Sequence, residues 1–567
     1  MASSKKNKSR EFNKKNASNQ GKAKTSGNRF TNEKAIFPTY VLGLCTIVYA
    51  AFLFILFPLY YEDKYYNMGD AKWHIYKAVT FGFSDEFTGA LIVPFTPLVI
   101  LVFLIMYYAL GKKDSFRETA LSFKAAPAVW ICLAVYALTV IVSTIFTPYA
   151  AEDVMWGRNG WYMGLFGQLA LSVMLFVFAC FYRHKNWLVW GSFITLSIIS
   201  LIAVGQRFGV DPLGLHDDLT EYNKKTFIST LGQTSWFSSY IVLIIPMAVG
   251  VYVLTENMMY KWLTGALIFI EGMTLVTDDS DAGLLSFFIF QSVIFIFSFK
   301  KDRYMSAFFS ELCIFFGAFA VTGLLQNVSE DAFIAEGNFI ALLTHSVFPY
   351  ICFALDLFFA IFFGKAAKNE KNITEKIKII RIIYPIALGL GAVLLVVYVF
   401  LNTTGHAGSL SSDNNYLFFD DYWGNNRGLT WKSAWSAFKQ AFTYDPVRCF
   451  IGAGPDQFNA LVYDYCGEEM GARWNEVGIV FGNAHNEWLN ELITGGIIGF
   501  IAYLGIFISS MVHFIRRWTT NEKLLLPAMC IASYIVHNFF CYQQILCSPA
   551  IFVIMGIGLK LAGETKD

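Results

Sequence analysis

A histidine, three asparagines and two glutamates stand directly ahead of a glycine-broken apolar run in "GNAHNEWLNELITGGIIGF", residues 482–500. The imidazole of His485 has the right unperturbed pKa to take a hydroxyl proton near neutrality, so it is a candidate general base. Read as a helix, the stretch puts His485, Leu489, Leu492, Gly496 and Gly499 on one face, at i, i+4, i+7, i+11 and i+14. The glycines let another helix pack closely there. Asn486 and Glu487 are placed to orient the ring; Glu487 facing solvent, and a histidine that merely caps the apolar run, are the plainer readings. Arginines supply the second kind of chemistry. Arg158 lies in "EDVMWGRNGWYMG", Arg207 in "AVGQRFGVDPLG" and Arg427 in "WGNNRGLTWKSAWSAF". A guanidinium grips phosphate oxygens in bidentate fashion. Glycine and tryptophan flank Arg158 and Arg427, which lets backbone approach a ligand at interfacial depth. Arg448 in "DPVRCFIGAGPDQF" and Arg473 in "GARWNEVG" read more simply as solvated or headgroup-facing cations.

The elements that must hold these groups are membrane helices. Of the 567 residues 56% are hydrophobic and 17% aromatic, with only 15% charged, more apolar surface than a soluble fold can hide. Apolar segments near 37–61, 90–110, 127–148, 161–182, 187–204, 236–255, 262–277, 283–299, 305–325, 338–364, 379–401, 488–515, 524–540 and 545–562 predict fourteen spans. Lys and Arg cluster in alternate loops, among them Lys112 and Lys113, Arg183 and Lys185, Lys300 and Lys301, and Arg516 and Arg517. The loops between them, such as "TPYAAEDVMWGRNG" and "VTDDSDAG", are acidic or mixed. The positive-inside rule then places both termini in the cytoplasm.

That topology divides the chain into a disordered basic tail at 1–36, eleven spans over 37–401, an extracytoplasmic loop at 402–487, and three spans with a short cytoplasmic end over 488–567. The tail holds ten Lys and Arg against Glu11 and Glu33. The 402–487 loop is rich in Trp, Tyr, Asp and Gly-Pro turns, so it is expected to be ordered, and ordered loops of such length usually carry function. Two guanidinium groups near an outer leaflet suit a lipid that bears pyrophosphate. Tyr416, Phe418, Phe419, Tyr422, Trp423 and Trp431 either stack on sugar rings or form the loop's own core. Of the ten cysteines, Cys449 with Cys466 and Cys541 with Cys547 share polar loops, which leaves a disulfide open for either pair. No spacing suits a structural metal, and nothing points to nucleic acid.

Four stretches carry a family likeness. "AHNEWLNELITGGIIGFIAYLGIF" resembles the closing signature of the O-antigen ligase and polymerase superfamily. "NNRGLTWKSAWSAFKQAFTYDPVRCFIGAGPDQF" is similar to that family's Arg-x-x-x-Trp stretch leading to a Gly-x-Gly-Pro turn. "EDVMWGRNGWYMGLFGQL" resembles its earlier arginine motif, and "GQRFGVDPLG" with "KTFISTLGQTSWFSSYIVLIIPM" the segment before its proline-ended span. In order they cover roughly residues 130–520.

The resemblance implies an all-α polytopic membrane glycosyltransferase of the GT-C kind, in the bacterial plasma membrane with its active site outside. The donor would be a polyprenyl (undecaprenyl) diphosphate-linked glycan, the acceptor a glycan, lipid or protein hydroxyl, with a flippase or chain-length protein as a compatible partner. Carried across by motif, Arg158 and Arg427 would hold the diphosphate and His485 would be the base. Attack would invert the anomeric carbon, with no metal or cofactor required because arginines supply the charge. Gln206, Gly232, Gln233, Asn486 and Glu487 would support the site. Two departures stand out. The family's Gly-Asn-x-Asn is here Gly232-Gln233-Thr234-Ser235, and its Ser-Arg is here Ser280-Asp281, an acid for a cation, for which Arg207 is the candidate replacement. A transporter or flippase of lipid-linked glycans is the competing class, favoured by Glu271, Glu311, Asp356, His345 and His537 within predicted spans. It would show related halves and midplane sites, and no such halves are visible.

Overall fold

A computed structural model describes residues 39–65, 68–83, 94–115, 123–158, 161–334, 338–477 and 482–564. The predicted basic tail at 1–36 lies outside them. A helix lies in each of the fourteen predicted segments. Among the described residues nine helices are long and apolar enough to cross a membrane, from Thr39–Leu59 to Gly496–Arg517. The chain is therefore an all-helical polytopic membrane protein. Its only described strands are the pairs Phe227–Ile228 and Gly232–Gln233, a minimal antiparallel hairpin.

Two predicted spans are broken. The 338–364 segment forms Asn338–Thr344 and Phe348–Lys368, with Pro349 at the start of the second piece, where the missing N–H costs nothing. The 488–515 segment forms Glu487–Thr494 and Gly496–Arg517. The break follows from an intruding backbone. Gly452 (φ +83°) and Gly496 (φ +66°) pack main chain against main chain, and a Cβ on Gly452 would run into the Thr494 carbonyl.

Packing sorts the helices by environment. Thr234–Leu254 is buried along most of its length, whereas Ile380–Thr403 is almost wholly exposed, and its Ile, Leu and Val side chains suit lipid contact. The long helix Asp302–Val328 lies along Phe348–Lys368. One large core runs through the bundle. The stretch predicted as an outer loop is mostly helical, as Trp423–Tyr444, Pro446–Ile451 and Phe458–Val477. It has a small core of its own, built from aliphatic residues including Leu429, Ala437, Leu461, Val462 and Ile493, with Ala484 in it. The aromatics take another place, described below. Met68–Phe81, a helix the hydropathy pattern did not reveal, packs on the same end of the bundle as the loop. There Trp73 stacks on Tyr162 at 4.4 Å. Cys449, Cys466, Cys541 and Cys547 are buried free thiols, so neither candidate pair forms a disulfide.

Candidate functional site

Arg427 sits one turn into the Trp423–Tyr444 helix, and Trp431 follows at i+4 on the same face. The Trp431 indole N–H donates to the Ala484 carbonyl at 3.0 Å, which ties the arginine's helix to the residue before His485. The Arg427 guanidinium donates to the Gly424 carbonyl at 3.0 Å and lies 6.0 Å from the centre of the Phe540 ring. Its Nε is buried with no hydrogen-bond partner. Burial lowers its pKa, opposed by the neighbouring Cys541 and Asp281.

His485 does not continue a helix. Its φ is +46°, and the helix begins only at Glu487, because the Asn486 side chain caps it by accepting the Leu489 N–H at 3.0 Å. The expected face shared by His485, Leu489 and Gly496 is thus replaced by a half-buried turn, in which the His485 N–H donates to Asn483 Oδ1 at 2.8 Å. The ring meets Tyr542 edge to face at 5.1 Å. Burial first, and the charge of Arg427 second, pull its pKa down to about 3. Arg427 and His485 therefore share one electrostatic neighbourhood, in which the imidazole is neutral.

Beside Arg427 opens a cavity of about 980 Å³, whose lining does not include His485. It mixes apolar side chains, Leu285, Phe288, Phe339 and Leu395, with Arg427, Lys225, Gln233, Asp279, Asp281, Tyr416, Tyr422 and Trp423. Gln233 accepts from the Tyr542 hydroxyl at 3.3 Å, which links the cavity wall to the ring that abuts His485. Gly232 precedes it at φ +96° in the hairpin. Asp281 opens the helix Asp281–Ser298 and accepts from the Tyr416 hydroxyl, so the acid in place of the family's cation pins the loop to a span. Trp423 and Trp431 pack together at 5.1 Å with Phe419, Phe539 and Phe540, while Tyr416, Tyr422 and Trp423 also face the cavity. Glu271, Glu311, Asp356 and His345 do not line it; His537 does.

The other expected site residues are placed differently. Arg158 lies at the end of a short helix, its Nε 3.6 Å from Asp153, and its guanidinium does not line the cavity. Its turn nevertheless reaches the site. Trp161 packs on Tyr542 at 4.6 Å, on the ring that His485 abuts. Arg207 is buried (2% exposed) and donates to the Lys224 and Lys225 carbonyls at 3.2 and 2.9 Å, under Phe333. Gln206 accepts from the Ser229 N–H at 2.7 Å and fixes the hairpin. Glu487 is fully buried; Tyr503 and Tyr534 donate to it at 2.7 and 2.9 Å, with Asn538 beside them. It braces three helices and does not face solvent. Arg448, expected as a solvated or headgroup-facing cation, is only 20% exposed; it pairs with Asp445 at 2.5 Å and lies 5.5 Å from the centre of the Tyr149 ring.

Sequence reasoning passed over Tyr542, Trp161 and Asp456. Asp456 is 7% exposed, and burial pushes its carboxyl up to about 7, against the main-chain N–H groups of Arg158 and Met163 that favour the charged form. The "GPDQF" turn was the available signal.

A search of curated proteins found no match. Residues 332–504, which include both Arg427 and His485, match the family described as O-antigen ligase, and this supports the chain's place in the O-antigen ligase and polymerase superfamily.

Proposed function

We propose that the protein is a membrane glycosyltransferase that moves a glycan from a polyprenyl (undecaprenyl) diphosphate to an acceptor hydroxyl at the outer face of the bacterial plasma membrane. The observation that carries this reading is that Arg427 both lines the cavity and acts electrostatically on a neutral His485, which sits behind the lining against Tyr542. In the proposal, the apolar side chains of the lining take the start of the lipid chain and the polar ones take diphosphate and sugar. Arg427 holds the diphosphate in the cavity, and Arg158, whose guanidinium lies outside it, acts through its turn, which carries Trp161 to the Tyr542 ring. Arg207, through the Lys225 carbonyl, holds the end of the helix Glu221–Thr226, from which Lys225 lines the cavity.

The reaction is an inverting displacement at the anomeric carbon. The acceptor oxygen forms the new C–O bond as the bond to diphosphate breaks, and the diphosphate leaves with the electron pair. The acceptor proton goes to His485. Neutrality is what a base needs, and a bound diphosphate would offset the Arg427 charge and so raise the ring's basicity. Arginine in a water-poor site supplies the charge stabilisation that a metal gives elsewhere. Fourteen spans in a GT-C-like arrangement, with both termini cytoplasmic and 402–487 outside, complete the proposal.

The test is reconstitution with a lipid-linked oligosaccharide and an acceptor. Release of lipid diphosphate coupled to glycan transfer supports the reading. Movement of intact donor across the bilayer without bond cleavage makes the protein a transporter.

A further inference from the structure

One buried carboxylate reaches from the turn after Pro446–Ile451 to the arginine turn some three hundred residues earlier. Asp456 Oδ2 accepts the Arg158 N–H at 2.7 Å, and the same carboxylate is a hydrogen-bond partner of the Met163 N–H. It thereby grips both ends of the turn 158–163. Gly157 makes the grip possible: its φ is +90°, and a Cβ there would lie 2.7 Å from Asp456 Oδ2 and 2.6 Å from the Met163 nitrogen.

The residues around Asp456 are fixed in turn to the helix Glu487–Thr494 that follows His485. The Ala453 and Gly454 N–H groups donate to the Ile493 and Thr494 carbonyls at 3.0 Å each, and Thr147 donates to the Ala453 carbonyl at 2.7 Å. The gripped turn carries Trp161, which touches Gly482 and Tyr542, and Tyr542 backs His485. A charged group so placed is expensive to bury, and an apolar side chain would serve packing alone more cheaply. Two backbone donors aimed at one carboxylate account for an acid at this position.

We propose that Asp456 is a positioning residue, which sets the Arg158–Trp161 turn against the Tyr542–His485 pair by clasping both ends of that turn. This rests on the glycosyl-transfer reading for its consequence but not for its geometry. Without the clasp the turn relaxes, and ordering it again on donor binding costs affinity.

The experiment uses the full chain in nanodiscs, with Asp456→Ala, Asp456→Asn, Gly157→Ala and the double variant Gly157→Ala/Asp456→Ala. Amide hydrogen exchange over 157–164 should quicken about tenfold or more in Asp456→Ala, while 496–517 keeps its protection. Asp456→Asn, which keeps one oxygen acceptor, should fall between. Unchanged exchange over 157–164 overturns the clasp. With lipid-linked oligosaccharide as donor, Asp456→Ala should raise the donor KM about tenfold with kcat within about threefold, and Asp456→Asn should recover part of it. A fall in kcat with KM unchanged overturns the positioning role. Gly157→Ala breaks the same contact from the other side, so the double variant should cost no more than the worse single one; additive losses overturn the claim. Absence of transfer by the wild-type protein removes the glycosyl-transfer reading and the catalytic consequence with it, and the exchange result then judges the clasp separately.

Discussion

The charge of Arg427 reaches His485: together with burial it holds that imidazole near a pKa of about 3, far below the ordinary 6.5. A titratable ring at the mouth of a membrane helix is thereby kept neutral at every physiological pH. Removing the guanidinium removes one of the two causes, so Arg427→Gln should shift the acid limb of the pH–rate profile to higher pH. Single-turnover transfer against pH reads the shift, and coincident limbs in wild type and variant contradict it.

The same relationship acts on stability. The His485 pKa is lower folded than unfolded, so between about 6.5 and 3 the unfolded chain binds more protons. Its contribution is intact above 6.5 and is lost as pH falls through that window. His485→Gln should therefore lose less stability than wild type between pH 7 and pH 4, read as the change in Tm in detergent. Parallel curves would show that the ring is not held neutral.

Arg427 is also the cation at the cavity. A charge-assisted hydrogen bond contributes about 2 kcal/mol, so Arg427→Gln should weaken donor binding roughly thirtyfold. Arg427→Lys should recover only part, since an ammonium lacks the planar fork. Donor titration in nanodiscs measures both; unchanged affinity in Arg427→Gln assigns the diphosphate elsewhere.

Hydropathy was enough to locate a helix in each of the fourteen apolar segments, because a span must be long and apolar wherever it packs, but it missed Met68–Phe81 and the helices of the 402–487 stretch. The breaks were not legible. Gly495 and Gly496 read as small residues inside a span, but the reason for the break is the Gly452 backbone, more than forty residues away. His485 stood out as a candidate base by its type and setting. Its conformation was misjudged because a continuous apolar face was followed past Asn486, whose capping preference was the local signal to stop the helix. For Glu487 the sequence left two readings open, orienting the ring or facing solvent, because its partners, Tyr503, Tyr534 and Asn538, come from later parts of the chain. Long-range pairing of this kind, like the grip of Asp456 on the Arg158 turn, leaves no periodic trace in a single sequence.

Glu487 should accordingly be a stability residue. Glu487→Ala leaves the Tyr503 and Tyr534 hydroxyls and the Asn538 amide facing a buried gap, which costs about 3 kcal/mol or more. Thermal unfolding in detergent should show a marked fall in Tm, with Glu487→Gln milder. A Tm unchanged in Glu487→Ala would deny the bracing role.

The backbone crossing at the broken span gives a sharper contrast. Gly452→Ala adds a methyl against the Thr494 carbonyl at φ +83° and should cost about 3 kcal/mol or more. Gly391→Ala, on the exposed helix with nothing within 4 Å, should be neutral or slightly stabilising. Equal effects in the same unfolding assay would show that the close approach does not form.

The decisive measurement is single-turnover glycan transfer by His485→Gln beside donor binding by the same protein. The account predicts transfer reduced about a hundredfold or more, with donor affinity within about threefold of wild type. Near-normal transfer by His485→Gln would mean that the acceptor's proton leaves by some other group, and the proposed chemistry would have to be abandoned.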